Sequence, residues 1–349
     1  MKILHVIFCF PHDGAETMLV DIMNEQSKTD HVELIIINDL YNRDLIQTID
    51  KKVKIHYLNR VPGSINPIKI IEFNFRVFKI QPDVIHFHDH NGIRFALYRG
   101  KALTFLTIHG LKFPITNFGK YDKLISISDA VKNDLLSGGS FESIVIYNGI
   151  DFSKIAVKSA YNSSGVFKMV DVGRLCHEVK GQDILLKALH YLIYQKGIES
   201  VKLDFIGEGP SLKYLQELMY QLKLDQFVNF LGLKDRHFIY NNLANYDLLI
   251  QPSISEGFGL TVVEAMAAKI PVVVSNTYGP LEIIRNGQFG DCFDSGDPCS
   301  CADVLEKSIN KFYDSNFSDF LDKTYDYAIS NFSIQNTAQK YLNEYHKTV

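Results

Sequence analysis

Two carboxylates, Glu256 and Glu264, stand eight positions apart around the turn Gly257-Phe258-Gly259. The pattern predicts a helix over 260–269, so unpaired amide groups and the positive end of the helix dipole meet at this turn and favour a phosphate. Helical side chains lean toward the N-terminus, which brings the second carboxylate back to the same place. A carboxylate beside a phosphate needs hydrogen-bond donors, and sugar hydroxyls supply them. The segment is interpreted as a nucleotide-sugar site, with one acidic group for each of two sugar rings.

Other candidate ligand groups follow further predicted strands. Gly173-Arg174 ends one apolar strand and Lys180 lies six residues later, so a guanidinium and an ammonium could hold a diphosphate from two sides. Taken singly, either cation is more often a solvated surface charge. Gly207 ends the next strand, where it permits close backbone approach to a ligand or forms a plain turn. Leu231 ends the strand after that, and its backbone could pair with a base.

The first half of the chain carries a short loop, DGAE at 13–16, between the first predicted strand and helix. Gly14 and Glu16 take the position of a phosphate- or sugar-facing loop. The loop is not G-x-G-x-x-G, so a nicotinamide dinucleotide site lacks its fingerprint. His109 ends another predicted strand and places an imidazole at the edge of the sheet.

Three more histidines, His86, His88 and His90, repeat with a period of two and so share one face of a predicted strand. A zinc site is conceivable there. A hydrogen-bonding cluster at the end of the strand is the favoured interpretation, because no fourth ligand or water-activating motif is visible.

Composition narrows the class of protein. The chain has 349 residues, 46% of them hydrophobic, which is enough for two domains with sizeable cores. A net charge of −4 lacks the basic bias of a nucleic-acid binder. Five cysteines without a C-x-x-C pair favour a reducing compartment. With no cleavable leader and no apolar run of about 18 residues, a soluble cytoplasmic protein is expected.

Short apolar strands alternate with helical patterns along the chain, and the alternation restarts after an irregular stretch at 153–165. Near-continuous apolar strands joined by helices indicate parallel sheets covered on both faces, hence an α/β protein with two doubly wound, Rossmann-like domains. The predicted boundaries are 1–155 and 156–332. A last helical pattern, at about 335–346, comes too late to belong comfortably to the second sheet.

These motifs together resemble the retaining glycosyltransferases of family 4 (glycosyl transferases group 1), and the resemblance covers nearly the whole chain. The elements that carry it are Gly14–Glu16, Thr107-x-His109, Ser126-Ile-Ser128, Asn148-Gly-Ile-Asp151, Gly173-Arg174 with Lys180-Gly181, Gly207-x-Gly209, Phe230-Leu-Gly232, Glu256 through Glu264, and Gly279-Pro-x-Glu282. The resemblance implies the GT-B fold, in which the two domains face a cleft and the terminal segment, 333–349, packs back on an N-terminal acceptor-binding domain. One departure is Asp13, where the family commonly has a glycine.

The resemblance also implies roles for individual residues. Glu264 would bind the ribose hydroxyls, Glu256 would orient the transferred sugar, and His109 would hydrogen-bond that sugar from the opposite domain. Arg174 and Lys180, with the amides near 258–260, would stabilise the departing diphosphate. The expected catalytic set is Glu256, His109, Arg174 and Lys180. The expected nucleotide-sugar set is Gly173, Arg174, Lys180, Gly207, Leu231, Glu256, Gly257, Phe258, Gly259, Leu260 and Glu264.

The expected activity is transfer of a hexose, from a UDP-sugar by family expectation, to a saccharide or lipid-linked acceptor in surface polysaccharide synthesis. No D-x-D pair stands at a predicted strand end, so no metal and no other cofactor is expected, and retention follows from the resemblance alone. Alternatives are another GT-B enzyme (a sugar-phosphate synthase, a phosphorylase or a nucleotide-sugar epimerase) and a non-catalytic nucleotide-sugar sensor. The apolar helix predicted at 65–80 is interpreted as buried, with peripheral contact to the inner face of a membrane as the alternative.

Overall fold

The computed structural model describes residues 1–11, 14–139, 141–161, 165–314 and 316–348. The chain divides into two compact units. The N-terminal unit combines Met1–Asp151 with the segment from Phe332 onward, and the C-terminal unit is the continuous stretch Phe152–Asn331. Each unit contains one parallel sheet, which confirms the predicted α/β class.

The sheet of the N-terminal unit has seven strands in the order β3-β2-β1-β4-β5-β6-β7, and all of its pairs are parallel. Its central strands are buried on both faces, which is why their sequences are almost continuously apolar. The strands are β1 Lys2–Ile7, β2 His31–Asn38, β3 Lys54–Arg60, β4 Val84–Phe87, β5 Leu103–Ile108, β6 Lys123–Ser126 and β7 Ile144–Val145. The helices between them are α1 Gly14–Gln26, α2 Arg43–Gln47, α3 Ile68–Ile80 and α4 Asp129–Gly139.

The prediction of a buried helix at 65–80 was wrong for most of its apolar residues. In α3 only Phe73, Val77 and Ile80 are buried, and they form the side that faces the sheet. A second apolar stripe with helical spacing lies exposed on the opposite side. Its members are Ile68, Ile71, Phe75 and Phe78, each more than half exposed. The helix is apolar on two faces, and only one of them contributes to the core.

The C-terminal unit has a six-stranded parallel sheet in the order β10-β9-β8-β11-β12-β13. Its strands are β8 Phe167–Val172, β9 Val201–Ile206, β10 Val228–Phe230, β11 Leu248–Gln251, β12 Val272–Ser275 and β13 Asp291–Phe293. Its helices are α5 His177–Lys180, α6 Gln182–Tyr194, α7 Leu212–Gln221, α8 Arg236–Asn242, α9 Leu260–Ala267, α10 Tyr278–Ile283, α11 Pro298–Phe312 and α12 Phe317–Phe332. The strand order reverses between β8 and β11, so their carboxyl ends flank the point where open α/β sheets bind ligands.

The last helix, α13 (Ile334–Thr348), belongs to the N-terminal unit, as the family resemblance implied. Its buried side chains Ile334, Tyr341, Leu342 and Tyr345 join the core that lies under α1. A bridge between Ile150 and Ser333 ties its start to the end of the first segment. None of the helices in the described residues combines the length and the hydrophobicity that a bilayer span requires.

Candidate functional site

The carboxylate of Glu256 lies in a charged contact at the carboxyl end of β11. It accepts a hydrogen bond from the ammonium of Lys180, and a second from the side-chain amide of Gln251 at 3.0 Å. Both charged side chains keep partial solvent exposure, 28% for the lysine and 16% for the glutamate. Two residues 76 positions apart in the sequence are thus brought together beside the start of α9.

The backbone fixes this pairing. The carbonyl of Val179 accepts from the amides of Ile254 and Ser255, at 2.9 and 3.1 Å, so the loop after β11 is hydrogen-bonded to the short helix α5. Gly181 has φ +67°, and a Cβ there would collide with the carbonyl of Pro252. Because glycine alone adopts this conformation without strain and leaves room for that carbonyl, Lys180 is held against the loop that carries Glu256.

A glycine also opens helix α9. Gly259 has φ +115°, and a Cβ would lie 2.9 Å from the side-chain oxygen of Gln251. Its conformation turns the chain from the β11 loop into the helix, whose first amides lack intrahelical acceptors. Phe258 is buried beneath the turn, and Glu264 lies on the helix with 8% of its surface exposed. The predicted E-x7-E element therefore consists of a loop carboxylate and a nearly buried helical carboxylate.

The strand-end loops after β8, β9 and β10 lie side by side. Gly173 donates to the carbonyl of Ile206, and Gly207 donates to the carbonyl of Gly232, both at 3.0 Å. A Cβ at 207 would collide with the carbonyl of Gly173, so the close approach that requires this glycine is to protein backbone. The amide of Leu231 donates to Phe205 at 2.9 Å, which leaves its carbonyl as the backbone group that could meet a base.

Arg174 is exposed at the end of β8, and its own carbonyl accepts from the side chain of Gln182 at 3.1 Å. Within the described residues its guanidinium makes no ion pair. Arg174 and Lys180 therefore differ: the lysine is already paired with Glu256, whereas the arginine extends into solvent from a loop whose backbone is fixed. Both lie at the carboxyl end of the sheet, as the sequence predicted.

Two residues of this region were missed. Asp171, in β8, is buried, and burial raises its pKa to about 7, against the opposing effect of the Lys180 charge. Gln251 ends β11 and orients Glu256. Each interrupts or ends an apolar strand, and a polar residue in a strand buried on both faces is the sequence pattern that could have indicated them.

In the N-terminal unit, His109 directly follows β5, and its Nε2 lies 3.2 Å from Nδ1 of His88. His88 in turn contacts His5 of β1, whose ring also contacts Gln26. Burial lowers the pKa of His5 to about 4, with the Gln26 hydrogen bond opposing, and burial likewise lowers the pKa of His109 to about 4. These imidazoles are neutral at physiological pH.

The predicted trio of His86, His88 and His90 was wrong in its third member. His86 and His88 are buried and stacked, with ring centroids 4.7 Å apart, but His90 lies outside the cluster and contacts Asn91. His5 takes its place, since β1 pairs with β4 in a register that sets His5 beside His86. The preferred interpretation of a hydrogen-bonding cluster fits, because every ring nitrogen of His5, His86 and His88 contacts another side chain.

The loop at 13–16 is only partly described. Gly14 is exposed and begins α1, and Glu16 lies half-buried in its first turn. Asp13, the departure from the family pattern, lies outside the described residues. The structure places the two described members at the carboxyl end of β1, on the same edge of the sheet as His109.

Comparisons with known proteins show which family the chain resembles. The model of Glycosyltransferase Family 4 matches residues 12–154, and the model of Glycosyl transferases group 1 matches residues 157–326. An uncharacterized glycosyltransferase of Methanocaldococcus jannaschii is 27% identical over 336 residues, 89% of each chain. The O-antigen biosynthesis glycosyltransferase WclY of Escherichia coli is 25% identical over 325 residues, 87% of this chain and 88% of its own.

Among solved structures, HepE of Anabaena in complex with UDP-glucose superimposes with a TM-score of 0.81 at 21% identity, over 100% of both chains. This likeness confirms the predicted GT-B fold. The model of Glycosyl transferases group 1 covers the part of the C-terminal unit that contains Arg174, Lys180 and the segment from Glu256 to Glu264.

Proposed function

Because the chain belongs to the family-4-like glycosyltransferases of the GT-B fold, we propose that it transfers a hexose from a nucleoside-diphosphate sugar to a saccharide or lipid-linked saccharide. The proposal includes retention of the anomeric configuration and a role in building a surface polysaccharide. WclY, by its name, acts in O-antigen biosynthesis, and HepE holds UDP-glucose. UDP-glucose is therefore the first donor to test.

The observation that carries the proposal is the contact of Lys180 with Glu256 beside the start of α9. An ammonium has three donors, so Lys180 can keep this contact while it binds a phosphate oxygen. Arg174 supplies a second cation from the same connection, near the end of β8. As the glycosyl–phosphate bond breaks, negative charge grows on the departing diphosphate, and fixed cations and helix amides stabilise it more in the transition state than before.

Glu256 and Glu264 take the hydroxyl-binding roles. Lys180 and Gln251 fix the position of the Glu256 carboxylate, which can then accept from a hydroxyl of the transferred sugar and orient its anomeric carbon. Glu264, nearly buried on α9, is assigned to the ribose. We propose that no metal takes part, because the cations and the helix terminus supply the positive charge that a divalent ion would otherwise bring.

The test begins with binding and proceeds to turnover. UDP, GDP and ADP are titrated calorimetrically into the full chain, and the matching nucleotide sugars are then assayed for donor hydrolysis and for transfer to oligosaccharide and lipid-linked acceptors. A product whose anomeric NMR signals match the configuration of the donor supports retention. Tight nucleotide-sugar binding with no turnover on any acceptor would favour the sensor alternative.

A second proposal concerns the exposed stripe of α3. Ile68, Ile71, Phe75 and Phe78 follow one another at spacings of three and four residues. Three cations lie on the same helix: Lys79 is over the ring of Phe75, whereas Lys69 and Arg76 are paired with Glu72 at 3.1 and 2.8 Å. An exposed apolar stripe flanked by cations fits the interface of an anionic membrane. We propose peripheral attachment at the inner membrane face, which would bring the enzyme to a lipid-linked acceptor.

Vesicle sedimentation tests this attachment. The double substitution Phe75→Ser/Phe78→Ser should reduce binding to vesicles that contain anionic lipid by roughly 10-fold or more. The reason is that two aromatic rings are no longer transferred from water into the membrane interface on binding. The control is Tyr220→Ser on α7, a still more exposed aromatic residue outside the stripe. Equal sedimentation of both variants would contradict the assignment.

A further inference from the structure

Four side chains of the N-terminal unit form a continuous hydrogen-bonded chain. The side-chain oxygen of Gln26 lies 2.8 Å from Nε2 of His5, and Nδ1 of His5 lies 3.1 Å from Nε2 of His88. Nδ1 of His88 lies 3.2 Å from Nε2 of His109. Gln26, His5 and His88 are buried, at 0, 0 and 6% exposure. These four residues are called the relay below.

The amide of Gln26 gives the relay a direction. Its oxygen only accepts, so His5 carries its hydrogen on Nε2 and, being neutral, has a lone pair on Nδ1. His88 must then donate from Nε2, which leaves its Nδ1 as an acceptor. His109 must donate from its own Nε2, and the lone pair of its Nδ1 is left over. One amide thus sets the tautomer of an imidazole three contacts away.

The relay ends at the carboxyl end of β5, on Nδ1 of His109. Nδ1 of His109 is shielded from solvent and has no hydrogen-bond partner among the described residues. The neighbouring branch through His86, by contrast, runs to Thr107 and on to the hydroxyl of Tyr341. A buried acceptor without a donor, at the carboxyl end of β5, is suited to receive a donor from a ligand.

The family resemblance already implies that His109 hydrogen-bonds the transferred sugar. We propose that Gln26, His5 and His88 are positioning residues for this contact, which hold His109 as a neutral imidazole whose Nδ1 can only accept a hydrogen bond from a sugar hydroxyl. This inference rests on the proposed function and adds a selectivity to it. A lone pair attracts an O–H group and repels phosphate or carboxylate oxygens. His109 therefore selects a sugar hydroxyl and takes no part in holding the diphosphate.

Neutrality of the whole relay is essential to this selectivity, and the surroundings enforce it. Burial lowers the pKa of His5 and of His109 to about 4, and burial together with the neighbouring imidazoles lowers the pKa of His88 well below its ordinary value. A protonated ring anywhere in the chain would add a hydrogen and reverse the bonds that follow it. His109 would then become a donor.

The tautomers are measured by long-range ¹H–¹⁵N NMR of the full chain labelled with ¹⁵N-histidine, with each signal assigned by single histidine-to-glutamine substitution. The expected result in the free protein is a bare Nδ1 and a protonated Nε2 on His5, His88 and His109. The opposite pattern, with hydrogen on Nδ1 of His109, would mean that the Gln26 amide is reversed and would overturn the proposal. The tautomers can be measured without turnover. A failure of the positioning proposal is therefore distinguishable from a failure of the proposed transferase activity.

Ligand titration identifies the group that His109 meets. UDP-glucose should shift the Nδ1 signal of His109, while UDP alone, saturating by calorimetry, should leave it in place. A shift with UDP alone would show a phosphate or nucleoside contact and would contradict the hydroxyl assignment. UDP-glucose that is bound by calorimetry but moves no signal would contradict it equally.

Variants at the start of the relay complete the test. Gln26→Met removes the acceptor at nearly constant volume, so His109 should show a mixture of tautomers, and turnover should fall by roughly 3- to 10-fold, the scale of one neutral hydrogen bond. Gln26→Glu places a carboxylate beside His5 and favours its protonated form, so the tautomer of His109 should reverse. Tyr341→Phe, equally buried but outside the relay, should change neither quantity. An unchanged His109 tautomer in both folded Gln26 variants would show that Gln26 does not set the tautomer of His109 and would overturn the proposal.

Discussion

The two units place polar groups at the carboxyl ends of their sheets in opposite ways. The C-terminal unit presents charges with partial solvent access: Lys180 contacts Glu256, and Arg174 is exposed in the same connection, between β8 and α6. The N-terminal unit buries a network of imidazoles that are uncharged at physiological pH, each with one N–H group and one lone pair. A mobile anion such as a diphosphate is held by charge, whereas a neutral hydroxyl is recognised by the direction of a hydrogen bond. The C-terminal site is therefore suited to an anion, and the N-terminal network to a neutral hydrogen-bonding group.

The largest expected effect comes from removing the cations of the C-terminal unit. Arg174→Ala and Lys180→Ala should each lower kcat by roughly 10²-fold or more, because each removes a fixed charge that stabilises the leaving diphosphate. Steady-state kinetics measures this. The matched control is Lys187→Ala on α6, which removes an ion pair with Asp183 at 2.8 Å. This substitution should change kcat little. Normal rates in the first two variants would show that Arg174 and Lys180 are ordinary surface charges. The contrast between a charged site in one unit and a neutral network in the other would then have no functional meaning.

The second effect separates the two carboxylates. Glu264→Gln should weaken nucleoside-diphosphate binding by roughly 10-fold, while Glu256→Gln should leave that binding nearly unchanged and lower kcat by a similar or larger factor. The reason is that the ribose is remote from the breaking bond, whereas the transferred sugar contains it.

Calorimetry measures the nucleoside-diphosphate affinity of each variant, and transfer assays on the same preparations measure its kcat. Glu217→Gln, on the exposed face of α7, is the control. Loss of nucleotide binding with intact turnover in Glu256→Gln would reverse the two roles.

Acid should affect the units in opposite directions. In the folded N-terminal unit the pKa of His5 and of His109 is lowered to about 4. In the unfolded chain these histidines bind protons below about pH 6.5, and the folded unit excludes those protons. Its free energy of unfolding therefore falls as the pH drops from 6.5 toward 4. The pKa of Asp171 is raised to about 7, so the folded C-terminal unit keeps a proton that the unfolded chain releases, and it gains stability over part of the same window.

Hydrogen exchange followed by mass spectrometry, corrected for intrinsic exchange rates, resolves the two units. Protection in β1 and β4 should fall between pH 6.5 and 5, and protection in β8 should hold or rise. Asp171→Asn should abolish the pH dependence assigned to β8 without changing that of β1 and β4. Parallel loss in both units would contradict the opposed signs.

The smallest expected effect is that of chelation, which should change nothing. Enzyme treated with EDTA should retain full activity, and added Mg²⁺ should leave the rate within about twofold, because Arg174, Lys180 and the start of α9 supply the positive charge. Activity that disappears with chelator and returns with one divalent ion would overturn this mechanism. It would also make His5, His86 and His88 candidate metal ligands, since their ring nitrogens lie within 4.8 Å of one another.

The C-terminal site was largely predictable because its chemistry is local in sequence. Glu256, the glycine turn and Glu264 lie in one segment, and apolar strand patterns place Arg174 and Lys180 at the same edge of a sheet. Helix α3 was misjudged because apolar residues on two opposite faces resemble a helix that is buried all round.

The histidine network was not predictable to the same degree. His88 and His109 were singled out, but the residues that set their tautomers, His5 and Gln26, come from β1 and the end of α1. Their contacts span 83 and 21 positions and depend on which strands pair, and no single-sequence pattern records that pairing. The nearby hydroxyls of Tyr341 and Tyr345 lie farther still along the chain.

The membership of α13 in the N-terminal unit has a consequence for biosynthesis. A ribosome releases the first strands long before Tyr345, which hydrogen-bonds His86 and packs edge-on against Phe105 at 4.9 Å between ring centroids. Until that residue emerges, the nascent N-terminal sheet exposes an apolar face together with unpaired imidazoles, while the intervening C-terminal unit has all its strands in one continuous stretch. We therefore expect the C-terminal unit to mature first on the ribosome, and the earlier-made sheet to rely on chaperones until the last helix closes it.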